Sequence, residues 1–177
     1  MITQYCAFAL FVVFALSIQS CSEPADKFFD TAVLNTNTIN DFATPILAKH
    51  INDETLEYPD IPSSKKQGDE ATKMVQNNIL YMEKSLKDIK ALSAGSDDRK
   101  TIKEQSIALY EFVIPVYKNE YTNYAKLCDN KASQEEKDAM IQSIDQKYRL
   151  KFETLYSALL NTGKDFAKAN QLNVDWN

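Results

Sequence analysis

Apolar residues recur at spacings of three and four along most of the chain, which is the period of an α-helix with one buried face. The pattern predicts four helices, over residues 25–50, 64–94 and 97–130 and from Ser133 onward. The seam of the second helix consists of Val75, Ile79, Met82, Leu86 and Ile89. The fourth helix is the longest, with apolar positions at Met140, Ile144, Tyr148, Phe152, Leu155, Leu159 and Phe166.

Local signals indicate where these helices begin, bend and end. Ser133 and Glu136 have the spacing of a capping box at the start of the fourth helix. Gly95 stands where a C-cap of the second helix belongs. Pro115 interrupts the backbone ladder of the third helix and predicts a bend, and Pro45 kinks or ends the first.

The longest polar gap between helices contains Pro59, Pro62 and two serines, which predict a loop at about 51–63. Four amphipathic helices with two short connections and one longer one predict an all-α fold, an antiparallel four-helix bundle with a kinked third helix. The stretch Glu54–Gly68 is either a segment that contacts a partner or a plain crossover connection.

The start of the chain has a different pattern. Residues 5–18, YCAFALFVVFALSI, are apolar and uncharged, which is the length of a signal-peptide core. These fourteen residues are too few to cross a bilayer, which takes about 20 residues in a helix. We therefore expect residues 1–20 to be a signal peptide and the protein to be exported.

The sequence Ile18-Gln19-Ser20-Cys21 at the end of this run resembles the lipobox of bacterial lipoproteins. The resemblance implies that diacylglycerol is attached to the sulfur of Cys21 and that cleavage follows Ser20. Residues 21–27 then form a lipidated N-terminus and tether, and residues 28–177 a single helical domain, which resembles the small all-helical lipoproteins of Bacteroidota. Ordinary secretion with cleavage after Ser22 and an uncleaved anchor are the alternatives.

Composition limits the partners and the bonds that the protein can form. The net charge is −5 and the 20 basic residues are spread among 25 acidic ones, a balance that argues against nucleic acid as a partner. Of the three cysteines, Cys6 leaves with the signal peptide and Cys21 becomes a thioether. Cys128 then has no disulfide partner, and we interpret it as a small buried residue.

The candidate chemistry of the chain is sparse. A single histidine, His50, excludes the paired Glu-x-x-His motifs of a di-iron bundle, and no C-x-x-C-H sequence is present for c-type haem. A b-type haem held by His50 and either Met74 or Met82 is the one cofactor alternative. The acidic pairs Asp97-Asp98 and Glu135-Glu136 stand at helix starts, where they favour the helix dipole. We predict no catalytic residue, no metal and no cofactor.

Tyrosines are the remaining feature of interest. Tyr110, Tyr117, Tyr121 and Tyr124 lie along one side of the third helix. They are interpreted either as packing at the core edge, with each hydroxyl in water, or as a stripe in which Tyr117, Tyr121 and Tyr124 contact a partner.

The sequence thus favours a lipid-anchored, non-catalytic interaction or structural module of the bacterial cell envelope, with the membrane and an envelope protein or polymer as partners. The resemblance to lipoproteins implies the outer membrane or the cell surface over the inner membrane, since lipoproteins retained in the inner membrane have Asp after the cysteine and this chain has Ser22. The alternative is a bundle that binds haem or another small molecule.

Overall fold

The computed structural model describes residues 23–176, and this part of the chain is helical and contains no β-strand. The prediction of an all-α fold is therefore confirmed for it. The α-helices are α1 (Ala25–Ala32), α2 (Pro45–Asp53), α3 (Glu70–Ala91), α4 (Asp97–Val116), α5 (Thr122–Asp129) and α6 (Gln134–Ala169). Two 3₁₀-helices cover Leu34–Ile39 and Pro62–Ser64, and a π-helical turn, Tyr117–Tyr121, joins α4 directly to α5.

The last three predicted helices are present as α3, the α4–α5 pair and α6, but α3 begins at Glu70 and not at residue 64, and the loop before it covers 54–69 and not 51–63. The capping box is present, since the side chains of Ser133 and Glu136 each bond to the other residue's backbone N–H. Pro115 lies inside α4, and the regular hydrogen-bond ladder changes to the π turn directly after it. The C-cap prediction is wrong, because α3 ends at Ala91 and Gly95 lies in the connection to α4.

The first predicted helix, residues 25–50, is also wrong as a single element. It consists of α1, the 3₁₀-helix and α2. The break occurs where threonine side chains bond to nearby carbonyls, such as the 2.6 Å bond from Thr36 Oγ1 to Val33 O, and compete with the helix ladder. Thr44 caps the new start at α2, with Pro45 in its first turn. Ile46 consequently faces solvent.

One core runs through all six helices. α4 packs against α3 and α6, and α5 packs against the same two helices further along. α1 contacts α3 and α4, and α2 contacts α3 and α5. The largest fully buried side chains are Phe28, Phe29, Ile39, Phe42, Ile51, Met82, Ile89, Ile102, Leu109, Tyr110, Tyr117 and Tyr121.

The start of the described chain is bound to the domain and does not form the predicted tether. Glu23 accepts a 3.1 Å hydrogen bond from Ser93 N through its side chain and a 2.7 Å bond from Arg99 Nη1 through its carbonyl. Residues 25–27 are already the first turn of α1. The guanidinium of Arg99 also lies 4.9 Å from the centre of the Phe28 ring, so it holds this segment from two sides. The lipobox and Cys21 lie outside the described residues.

Candidate functional site

The tyrosines predicted to contact a partner are inside the core. Tyr117, Tyr121 and Tyr124 are 2%, 0% and 4% exposed, so they form no contact surface in this structure. The periodicity placed them correctly on one side of the helix, but that side is covered by the irregular segment before α2. The ring of Phe42 in this segment lies 6.2 Å from Tyr117 and 6.0 Å from Tyr121.

The tyrosine hydroxyls bond to the backbone, where the packing interpretation expected water. Tyr121 Oη accepts a 2.9 Å hydrogen bond from Ala43 N, and Tyr124 Oη donates to Ala48 O at 3.3 Å. Tyr110 Oη donates to Asn35 O at 3.0 Å. Burial raises the pKa of each of these phenols, that of Tyr110 to about 12. The bonds of Tyr110 and Tyr121 fix the irregular segment between α1 and α2, and the bond of Tyr124 holds α2 itself, so all three have a structural role.

The residues of the haem alternative lie in different environments. His50 is exposed in the last turn of α2, whereas Met82 is buried in the core. Met74 is half-buried beside a shallow pocket that also contains Glu54 and Glu70. Within residues 23–176, no group of three or more His, Cys, Asp or Glu side chains is placed to hold a metal ion.

Cys128 is a buried free thiol, as interpreted from the sequence. Burial raises the pKa of this thiol, and a hydrogen bond with Tyr124 lowers it by less. The side chain is therefore kept as a thiol, which is the unreactive form.

The loop between α2 and α3, residues 54–69 (the 54–69 loop), exposes three large apolar side chains. Leu56 is 42% exposed, Tyr58 55% and Ile61 50%. The acidic residues Glu54, Glu57 and Asp60 alternate with them in the sequence. Single exposed apolar residues are normal on protein surfaces, but three on one loop form a candidate contact surface.

The 54–69 loop is ordered by its own hydrogen bonds. Tyr58, Pro59, Asp60 and Ile61 form a turn that is closed by a 2.9 Å bond from Ile61 N to Tyr58 O, with proline at its second position. Ser64 Oγ accepts from Tyr58 N at 2.8 Å and lies 2.6 Å from Ile61 O, to which it donates. The loop therefore holds its apolar side chains on a defined backbone.

Two carboxylates accept hydrogen bonds from backbone N–H groups around the start of α3, one from N–H groups of the loop and the other from N–H groups of the first turn of the helix. The Glu70 carboxylate accepts hydrogen bonds from Gln67 N at 2.6 Å and Gly68 N at 3.0 Å, and these bonds lower the pKa of Glu70 to about 2. The Asp129 carboxylate, at the end of α5, accepts 3.0 Å bonds from Ala71 N and Thr72 N. Asp129 thus caps α3 although it is distant in the sequence.

A second concave surface, the α4–α6 groove, has a volume of about 630 Å³. Phe112, Pro115, Tyr148, Leu155 and Lys151 line it together with polar side chains. Lys151 Nζ lies 4.8 Å from the centre of the Phe112 ring. It has no carboxylate at ion-pair distance among the described residues.

The acidic side of the same groove is already occupied. The Glu120 carboxylate accepts a 3.1 Å hydrogen bond from Tyr148 Oη and lies 4.0 Å from Lys147 Nζ. Glu111 pairs with Lys90 at 2.6 Å. Lys151 is therefore the charged side chain of the α4–α6 groove that has no ion-pair partner among the described residues.

Sequence reasoning found the 54–69 loop through its prolines but missed the α4–α6 groove. Pro115, which marked the bend, lines that groove, and the π turn begins two residues later. Turns of this type occur frequently at functional sites, and Pro115 was the one signal in the sequence.

No helix between residues 23 and 176 is both long and apolar enough to cross a membrane. Comparison with known proteins found no similarity: no family model, no curated protein and no solved structure matches the chain. The surfaces described above are therefore the basis for inferring function.

Proposed function

We propose that this protein is a lipid-anchored, non-catalytic module of the bacterial cell envelope that binds an envelope protein through the 54–69 loop. In this proposal Cys21 carries the lipid and the outer membrane or cell surface is the location. The module is an antiparallel four-helix bundle whose first member is broken into α1 and α2. The support for the anchor is the resemblance of residues 18–21 to a lipobox.

The observation that carries the partner proposal is the exposure of Leu56, Tyr58 and Ile61 on an ordered loop. A loop that is already held by Ser64 loses little conformational entropy when a partner binds. Tyrosine is one of the residue types enriched among the side chains that contribute most binding energy at protein interfaces, which makes Tyr58 the anchor of this surface. The alternating acidic residues favour a partner with an apolar depression bordered by lysines or arginines.

The anchor is tested by measuring the intact mass of the protein extracted from bacterial membranes, for the wild type and Cys21→Ala. We expect the wild type to begin at Cys21 and to carry acyl chains, and the variant to stay unprocessed. A wild type that is unmodified and begins after Ser22 would refute the lipid anchor and would support ordinary secretion.

The loop contact is tested by photo-crosslinking in intact cells. A benzophenone amino acid replaces Tyr58 on the loop or, as a control, Tyr81, which is exposed on α3. We expect one discrete protein adduct from position 58 that disappears in a Leu56→Ala/Ile61→Ala background and is absent from position 81. Equal adducts at both positions, or an adduct to a polysaccharide alone, would contradict a protein partner at this loop.

The α4–α6 groove supports a second candidate function, the binding of a small molecule. Lys151, which has no ion-pair partner among residues 23–176, lies above an aromatic ring beside Pro115 and Leu155, and this arrangement suits a ligand with one anionic group and an apolar or aromatic body. Thermal unfolding with naphthalene sulfonates as probes tests this, with Lys151→Gln as the control variant. An increase in melting temperature that requires Lys151 supports the site, and equal increases in both proteins would refute it.

The haem alternative has its own test, since a Soret band in the absorption spectrum of the purified protein would indicate bound haem.

A further inference from the structure

We infer that the domain stands upright on the membrane, with the α3–α4 connection against the lipid headgroups and the 54–69 loop directed away from the bilayer. The contact surface consists of Glu23 and residues 92–100, and its partner is the headgroup layer of a lipid bilayer. This inference rests on the lipid anchor of the proposed function and adds an orientation to it.

The first step is the attachment of Glu23. Its side chain accepts from Ser93 N and its carbonyl from Arg99 Nη1, so Glu23 is bound to both sides of the α3–α4 connection. Pro24 follows as the N-cap of α1, and Phe28 is fully buried one turn later. This short segment therefore has no freedom to swing away from the domain as a tether does.

The second step is the length of chain between this attachment and the lipid. Only Ser22 separates Cys21 from Glu23. Because consecutive Cα atoms are about 3.8 Å apart, the Cα atoms of Cys21 and Glu23 are separated by at most about 7 Å. A lipid on Cys21 thus brings the α3–α4 connection to the membrane surface.

The third step is the length of α3. This helix has 22 residues, which corresponds to about 33 Å at 1.5 Å per residue. Glu23 bonds to Ser93 just beyond its end, and Asp129 bonds to Ala71 and Thr72 at its start. The 54–69 loop leads directly into that start, and Glu54 at its beginning lines a pocket with Glu70, so both ends of the loop lie about 30 Å from the attachment of Glu23.

The side chains at the membrane-facing end suit contact with the lipid headgroups and not insertion into the hydrocarbon core of the bilayer. Its exposed residues are small or polar: Ala94, Gly95, Ser96, Asp97, Asp98 and Lys100. The exposed apolar side chains of the 54–69 loop lie at the other end, where they are available to a protein partner. An upright domain therefore separates the anchor from the contact site by the length of one helix.

The test uses the full chain, processed in bacteria and reconstituted into phosphatidylcholine vesicles that contain a lipid with a nitroxide on its headgroup. In a Cys128→Ala background, a fluorophore is attached to Ala94→Cys or to Ser63→Cys, two small exposed positions at opposite ends. Because quenching by a nitroxide needs near contact and α3 separates the two sites by about 30 Å, we expect at least about two-fold stronger quenching at position 94.

The matched control is an insertion of twenty Gly and Ser residues between Ser22 and Glu23. Such a linker spans about 25 Å on average, so it releases the domain from the membrane while Cys21 and the fold are retained. We expect the insertion to abolish the difference between positions 94 and 63. Equal quenching at both positions without the insertion would overturn the orientation.

The same samples distinguish the failure of the anchor from the failure of the orientation. If the intact mass shows no acyl chains, the anchor is wrong and the orientation falls with it. If the protein is acylated and position 94 is not quenched more than position 63, only the orientation is wrong. A lipidated Cys21 also leaves the introduced cysteine as the reactive thiol, so one label per chain is expected.

Discussion

The hydroxyl of Tyr121 stabilises Ala43, a residue with an unfavourable backbone conformation. Ala43 has a φ of 57°, a left-handed conformation that costs a residue with a Cβ about 1–2 kcal/mol. Its buried N–H donates to Tyr121 Oη. We expect Tyr121→Phe to lower the free energy of unfolding by about 1–3 kcal/mol, because it leaves this N–H without a partner. Urea unfolding followed by circular dichroism measures the loss.

Tyr156→Phe is the matched control for this prediction. Tyr156 is half-buried, and its hydroxyl makes a 3.4 Å contact with Oδ1 of the exposed Asn37, which water can hydrogen-bond when the hydroxyl is removed. We expect a loss below about 0.5 kcal/mol, typical of surface changes. Equal losses in the two variants would show that the Ala43 amide finds another partner.

Single residues were predictable where the signal is local. The Ser133–Glu136 capping box and the burial of Cys128 depend on neighbours in the sequence or on residue type, and both are confirmed. The tyrosine stripe was not predictable in the same way. Periodicity shows which residues share a side of a helix, but the cover over that side comes from Phe42, about 75 residues away in the chain.

At the scale of elements, the start of α3 depends on a residue from another helix. Asp129 accepts bonds from Ala71 N, Thr72 N and Thr72 Oγ1, the last at 2.6 Å. We expect Asp129→Ala to lower the free energy of unfolding by about 1–2 kcal/mol, the usual effect of losing an N-cap. Thermal or urea unfolding tests this prediction.

Asp97→Ala removes the same charge from the first turn of α4, where the side chain is exposed. We expect this variant to lose only the favourable interaction of the Asp97 carboxylate with the helix dipole, a loss that lowers the free energy of unfolding by about 0.3–1 kcal/mol. A loss at Asp129 no larger than the loss at Asp97 would indicate that the dipole, and not capping, explains both.

The 54–69 loop is the element that the fold needs least. Glu54 and Glu70 line the same pocket, so the two ends of the loop lie close together. Replacing residues 56–65 by six Gly and Ser residues keeps Glu70 and its hydrogen bonds. We expect unchanged helicity and a stability within about 1 kcal/mol, because loop-closure entropy changes slowly with length. A collapse of the circular dichroism signal would make the loop structural and would remove the case for a partner there.

Helix prediction succeeded for α3, α4–α5 and α6 because each carries an apolar seam over many turns. It failed for residues 25–50, where Asn and Thr side chains compete for backbone hydrogen bonds and Ala43 adopts a left-handed conformation. The apolar positions in that stretch still reach the core, with the exception of Ile46. Burial there is achieved by a folded-back segment and not by a helix, and spacing alone does not distinguish the two.

At the scale of the whole molecule, the arrangement of surfaces was not predictable from the sequence. The α4–α6 groove and the attachment of Glu23 each combine residues that are far apart in the chain. Glu23 meets Ser93 and Arg99, and Asp129 meets Ala71. Such contacts follow from packing, which also fixes the ends of the domain where anchor and loop are placed.

Because several of its tyrosines are buried, we expect the whole domain to lose stability at alkaline pH. Burial raises the pKa of Tyr110 to about 12, and it raises the pKa of Tyr117, Tyr121 and Tyr124 as well. The unfolded chain therefore releases these protons near pH 10 while the folded chain keeps them. Stability is unaffected below about pH 9 and falls above pH 10, by about 1.4 kcal/mol per pH unit for each such tyrosine. Urea unfolding at several pH values measures how steeply the free energy of unfolding falls with pH. We expect a shallower fall in Tyr110→Phe, because one buried phenol has been removed. An unchanged slope in that variant would show that other groups cause the loss of stability at alkaline pH.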